Sequence, residues 1–407
     1  MRKIYLGVIA MYMGILASHA QTTPKPVKDS TNYEARKLKI DEVNFVSAYY
    51  HQNGNNSAVT GGIGTEKLTD FANTFDLQLS KYGKSGKKHT FLFELGVDHY
   101  TSASSDKIDP YSVSSASMQD TRVYPSLNWT VSNDKTGNAF GLTASYSHEF
   151  DYQSVGAGLN FTRLSKNKNT QFDFKANVFL DKWKVILPVE LRPPGYGSGS
   201  DKEDNRPVDS KPRNSYSTSF SLSQVLTSRL QAAIIVEPSY QHGLLATKYQ
   251  RDYFTDGSER VENLPDNRYK LPIGLRLNYF LDDHFIIRAF YRYYMDNWGI
   301  RAHTAELEIP VKLTSFVSVS PFYRYNTQVG TRYFAPYGQH DPNAQFYTSD
   351  YDLSSLHSNF VGANIRLSPP NGVFGSAHFT SLELRAGHYM RSTGLNSNIV
   401  TLALKFK

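Results

Sequence analysis

Leu271, Ile273, Leu275, Leu277, Tyr279 and Leu281 occupy every second position of one stretch, with Lys270, Gly274, Arg276 and Asn278 between them. After Asp282-Asp283 the alternation resumes. Phe285, Ile287, Ala289, Tyr291 and Tyr293 fall on one face, Arg288 and Arg292 on the other. A period of two belongs to an extended strand with unlike faces; on a helix these apolar residues would scatter around the cylinder. Two such runs joined by Asp-Asp predict a hairpin with a tight turn.

The pattern recurs along the chain. TFLFELGVDHY sets Phe91, Phe93, Leu95 and Val97 against Glu94 and Asp98. TRVYPSLNWTV sets Val123, Leu127, Trp129 and Val131 against Arg122, Ser126 and Asn128. AELEIPVKL, NFVGANIRL, SLELRAGHYM and the final NIVTLALKF repeat it. There are about sixteen such segments of roughly ten to fourteen residues, the length a tilted strand needs to cross a bilayer. Connections are short near 82–87, 133–137, 166–168, 227–228, 282–283, 313–314 and 369–374. They are long at 53–67, 101–119, 181–214, 242–268 and 328–354, with short exceptions near 150, 297 and 392. Apolar residues make up only 40% of the chain, yet aromatics reach 14%. That combination suits a wet interior and a lipid-facing exterior. The expected fold is all-β, a transmembrane antiparallel up-and-down β-barrel of about sixteen strands with short periplasmic turns and long extracellular loops. A soluble sandwich or propeller shares the alternation, but a sandwich would bury its apolar face and no blade-length repeat is present.

The first residues set the destination. Arg2 and Lys3, the apolar run Ile4 to Ala17 and the small residues around Ser18-His19-Ala20 read as a secretory signal cleaved near Ala20. The expected organisation is a signal at 1–20, a polar periplasmic segment at 21–40 and a barrel at 41–407. Loss of Arg2 and Lys3 lowers the formal charge from +7 by two, to +5, with no basic block of the kind that binds nucleic acid. With no cysteine, neither a lipidated cysteine nor a disulfide framework exists.

Charge on a strand of such a barrel belongs in the lumen, because lipid does not accept it unpaired. Lumen and selectivity candidates are Arg122, Arg276, Arg288, Arg292, Arg324, Arg366 and Arg385, with Glu94, Asp98, Glu237, Glu306, Glu308 and Glu383 as partner carboxylates. They either line a channel or knit a network that fills it. Tyr49, Tyr50, Tyr100, Tyr279, Tyr293, Tyr294 and Tyr389 lie near strand ends and are expected in the interfacial girdles.

Loop chemistry is sparse. Asn55, Asn56 and Glu66 could form a cation site, but the glycines around them read better as turn residues. Asp106, Asp109, Asp120, Asp350 and Asp352 are oxygen ligands without the spacing of a calcium loop. No zinc motif and no nucleophile elbow occurs, and His242, His284, His303, His340 and His378 are scattered. No cofactor, metal or catalytic residue is implied.

Several longer motifs, among them YYHQNGNNSAVTGGIGTEKLTD, SSASMQDTRVYPS, LPIGLRLNYFLDDHFIIRAFYRYYMDNWGI and QFYTSDYDLSS, resemble the domain of unknown function 3570 family, porin-like outer-membrane barrels of Bacteroidota-type bacteria. The resemblance runs from about Glu42 to the C-terminus and implies an outer-membrane barrel; it supplies no substrate and no catalytic residue. The chain departs from a common barrel ending in that Phe406 is followed by Lys407. Three functions are therefore weighed. The first is a passive channel for small solutes, leaning toward anions by its arginines. The second is a non-conducting barrel whose loops bind or scaffold an envelope protein. The third is an outer-membrane hydrolase with a Ser/His/acid cluster. Expected partners are outer-membrane lipid, the barrel-insertion machinery and small solutes or an envelope protein, with no nucleic acid.

Overall fold

The computed structural model describes residues 37–83, 85–101, 119–193 and 209–407. The expected signal, together with Asp106 and Asp109, lies outside these residues.

The alternating segments form strands β1 (Lys39–Asn53), β2 (Leu68–Tyr82), β3 (Lys88–Thr101), β4 (Gln119–Ser132), β5 (Ala139–His148), β6 (Tyr152–Leu164) and β7 (Thr170–Lys184). They continue as β8 (Ser210–Val225), β9 (Leu230–Val236), β10 (Ser239–Gly243), β11 (Arg251–Tyr253), β12 (Glu259–Val261) and β13 (Asn267–Phe280). The remainder are β14 (Ile286–Asp296), β15 (Arg301–Glu308), β16 (Val311–Lys312), β17 (Val317–Val329), β18 (Leu356–Leu367), β19 (Phe379–Arg391) and β20 (Asn396–Phe406). All but β11 and β12 belong to one 18-stranded antiparallel sheet. Two crossings are interrupted. β9 and β10 both pair with β8 and β13, and are parted at Glu237-Pro238. β15 and β16 both pair with β17, and are parted at Ile309-Pro310. Proline has no N–H to give to a ladder, so each break falls where a bond is lost. Counting each interrupted pair once, the 18 strands make sixteen crossings.

The sheet closes. β1 pairs with β20 from Val43↔Phe406 to Asn53↔Asn396, which leaves no edge and no row of unpaired backbone groups to face lipid. Sixteen tilted strands enclose a ring about 30 Å across.

Register decides which residues face inward. Arg385 on β19 reaches Glu308 on β15 at 3.3 Å, past β17 and β18, and only the concave side permits such a contact. Pairing carries this parity around the ring: even positions face inward on β1 to β4 and on β13 to β18, odd ones on β7 to β10, β19 and β20. The other face exposes Leu127, Val155, Leu222, Ile234, Ile365 and Leu384 in a continuous apolar belt. The apolar face of the sheet is thus turned outward. Among the described residues no helix is long and apolar enough to cross a membrane.

Candidate functional site

The thirteen charged candidates stand on the inner wall or at its Glu237 break. Arg288 Nη1 lies 2.7 Å from Glu308, and Arg385 holds the other oxygen of the same carboxylate. Arg324 pairs with Glu306 at 2.5 Å and Arg366 with Glu383 at 3.2 Å. Asp98 accepts the Tyr124 hydroxyl at 2.8 Å, while Arg122 donates to Ser147 at 2.8 Å. Glu237 accepts from Ser219 at 3.4 Å. Three candidates stay apart: among the described residues Arg276, Arg292 and Glu94 form neither an ion pair nor a side-chain hydrogen bond. A cavity of about 730 Å³ opens against this wall, bounded by Arg276, Arg288, Arg292, Glu306 and Arg324, with Asp352 and Leu353 at its outer end. Arg288 and Arg366 remain about half exposed (51% and 50%).

The girdle assignment needs correction. Tyr49, Tyr279 and Tyr293 face outward, but Tyr50, Tyr100, Tyr294 and Tyr389 face the lumen. Tyr50 donates to Gln52 at 2.6 Å, Tyr294 to Asp296 at 2.9 Å, and Tyr100 to Glu149. Tyr294 and Tyr389 line the cavity. Adjacent residues of a strand point to opposite sides, so Tyr49 and Tyr50 cannot share a girdle.

The outer loops build a second feature that strand periodicity does not announce. Loop 244–266 connects the ninth and tenth crossings, and loop 54–67 connects the first and second, half the ring away. The two meet. Arg251 donates from Nη1 to the Val59 carbonyl at 3.0 Å, and its Nε pairs with Glu190 from loop 185–209. Loop 330–355 joins them. Its Thr348 donates to Glu262 at 2.6 Å, and its Asp352 pairs with Arg391, which also lies 3.7 Å from Glu66. Asn56 donates to the Thr393 carbonyl at 2.5 Å. Loops rooted on opposite sides of a ring touch only by crossing the mouth, so the chain forms a cap over the lumen. The cap has its own small core, in which Trp298 (2% exposed), Ala246 and Leu264 pack against Leu245, Tyr333 and Leu353. Arg268 stacks 4.3 Å over the Trp298 ring and pairs with Asp296, whose other oxygen accepts from the Trp298 and Ile300 amides.

Burial sets the acids of the cap apart. The Glu262 carboxyl accepts from the Thr247 amide at 2.5 Å and from Thr348, yet its pKa is pushed up to about 8, first by burial and then by Asp350 and Asp252 nearby. Glu66 is pushed up to about 7, again mainly by burial, against the pull of Arg391.

A Ser/His/acid grouping does occur: Ser349 Oγ lies 3.0 Å and Asp252 Oδ1 3.5 Å from His340. Both approach the same ring nitrogen, Nε2, so the acid does not orient the imidazole from its far side as a nucleophile-activating base requires. Ser349 donates to the Ala335 carbonyl, and all three side chains are buried, with the imidazole beside Phe254 and Tyr347. This cluster fastens loop to loop. The proposed cation ligands are likewise engaged: Asn56 with Thr393, Glu66 with Gln52 and Arg391. Asp120 accepts from the Phe150 amide and Asp350 from the Asp352 amide. No group of three potential metal ligands exists among the described residues.

A wet, charged interior inside a closed, apolar-belted barrel is the form of an outer-membrane porin. A family described as "Protein of unknown function (DUF3570)" matches residues 98–392. The chain belongs to this family. No curated protein matches it. Among solved structures, it is similar to OccK9 (OpdG) of Pseudomonas aeruginosa at 9% identity and a TM-score of 0.41, covering 91% of this chain and 98% of that one. It is also similar to OccD3 (OpdP) of the same organism at 8% identity and a TM-score of 0.43, covering 92% and 93%. For a BenF-like porin from Pseudomonas fluorescens Pf-5 the values are 7% and 0.40, covering 90% and 98%.

Proposed function

We propose that this family member is a passive outer-membrane channel for small polar solutes, whose outer end is governed by the folded cap. The supporting observation is the lumen wall: ionic side chains stand about half-exposed along it, as they do where a polar solute and its water can pass. The anion preference expected from counting arginines is not retained. Four of the seven stand beside a carboxylate, with Arg288 and Arg385 sharing Glu308, and Arg276 and Arg292 are offset by unpaired acids elsewhere on the wall. Lipid covers the apolar belt, and insertion relies on the barrel-assembly machinery of the envelope.

Single-channel recording in a planar bilayer under a potassium chloride gradient tests this. The expected result is stable conductance steps with a reversal potential near zero. Arg276→Glu with Arg292→Glu should move that potential toward cation selectivity, since both side chains are exposed and lack a carboxylate partner. A correctly folded barrel that stays silent would overturn the passive channel.

One observation favours a second reading. The cap spans the mouth, and a cap that never opens makes the barrel a non-conducting platform for an envelope protein. The double variant Arg251→Ala, Arg391→Ala separates the two: conductance that appears only in this variant marks the cap as a closed gate.

A further inference from the structure

The lumen charges are sorted by side. On β2 and β3, Asp70, Asp76 and Glu94 face inward without an ion-pair partner among the described residues, and Asp76 sits directly across the ladder from Glu94. Like charges placed opposite one another on a sheet are destabilising. On β13 and β14, Arg276 and Arg292 face inward, equally without a carboxylate. The second and third crossings lie eight strands from the tenth and eleventh, so the two groups face each other across a ring of sixteen. Asp76, Glu94 and Arg292 occupy the middle of their strands, and Arg276 lies two residues along from Gly274, the ladder partner of Arg292. Elsewhere the same wall pairs its charges between neighbours, as in Arg324–Glu306 and Lys405–Glu42. Segregation at mid-depth is therefore a local departure from the barrel's own rule. It produces a field directed across the lumen, perpendicular to the path of a solute.

A transverse field does little for a net charge, which one wall attracts and the other repels. It acts on a dipole. We infer that the middle of the lumen selects zwitterions, solutes that carry an ammonium group and a carboxylate a few ångströms apart, over uncharged molecules of the same size. The ammonium end turns toward Asp76 and Glu94, and the carboxylate end toward Arg276 and Arg292. This inference rests on the channel reading above.

Proteoliposome swelling at low ionic strength tests it with two isomers of one formula, alanine as the zwitterion and lactamide as the neutral compound. Wild-type barrel should admit alanine about threefold faster than lactamide, below the tenfold and more that focused fields give a ligand with net charge. The alanine-to-lactamide ratio should fall to about one in Asp76→Asn, Glu94→Gln and equally in Arg276→Gln, Arg292→Gln. Half-molar salt should erase the preference in the wild type, because screening then acts within a few ångströms. Equal rates for the two isomers in the wild type would overturn the selectivity while leaving the channel standing. Entry of neither would overturn the channel and the selectivity together. Loss of the preference in one double variant but not the other would overturn the two-walled field in favour of a single-wall site.

Discussion

Arg251 joins three loops with one guanidinium, and its removal leaves the Val59 carbonyl and the carboxylates of Glu190 and Glu259 without their cation. The guanidinium is buried but Glu190 is nearly half exposed (45%), so the loss costs about 1.5 kcal/mol and Arg251→Ala should raise opening of the cap roughly tenfold. Protease cleavage within loop 244–266 reads this directly, while resistance of the barrel to heat in detergent shows that the strands are intact. Such residues were not legible in the sequence. Arg251 and Val59 stand far apart in the chain, in loops without periodicity, and nothing local says that they meet. The lumen charges were legible, because on a strand a residue's side follows from that of its neighbour. The girdle tyrosines were misplaced where that parity was set aside: Tyr293 and Tyr294 are adjacent, so one of them had to turn inward.

Within the strands, alternation gave the elements and turn composition gave their ends. The two interruptions fall at Pro238 and Pro310, but Pro125, Pro212, Pro272 and Pro321 sit within unbroken strands, so a proline in the sequence does not by itself announce a break. What periodicity conceals is inner-wall packing. Gly362 on β18 pairs with Gly387 on β19, and rings of Phe322 and Phe360 lie across these bare positions. A methyl group at 362 would sit 2.2 Å from the Ala386 carbonyl oxygen and 2.6 Å from the Phe322 ring. Gly362→Ala should therefore destabilise the barrel by about 2 kcal/mol, as overpacking commonly does. A lower temperature for the unfolding shift in semi-denaturing electrophoresis would show it. Gly274→Ala should be milder, since the new methyl meets the far edge of the Phe290 ring at 3.1 Å and no backbone.

For the molecule as a whole, the barrel was legible and the cap was not, although the cap lies over the mouth of the lumen. Its stability carries a pH dependence with a definite sign. Glu262 is held in its acid form, with a pKa of about 8 against a free value near 4.3. Its contribution is thus complete at acid pH and is lost as pH rises through about 8. Lys248, whose ammonium donates to the Glu262 main-chain carbonyl, has a pKa lowered by burial and acts in the opposite sense as it deprotonates. Between pH 5 and 9, cleavage of loop 244–266 should increase in the wild type. Glu262→Gln, which cannot ionise, should reduce that rise and leave the share of Glu66 and Asp350, whose carboxyls burial also pushes up; an unchanged profile would remove Glu262 as a source.

The contact between Asn56 and Thr393 has a consequence for assembly. These residues belong to the first and last hairpins of the chain, and in an unclosed sheet they would stand at opposite margins. They become neighbours only once β1 has found β20. The same holds for Glu66 and Arg391. The fastening of the cap is thus downstream of ring closure: a folding intermediate with an open seam displays loose loops, and a finished molecule does not. The outer surface reports whether the sheet beneath it is complete.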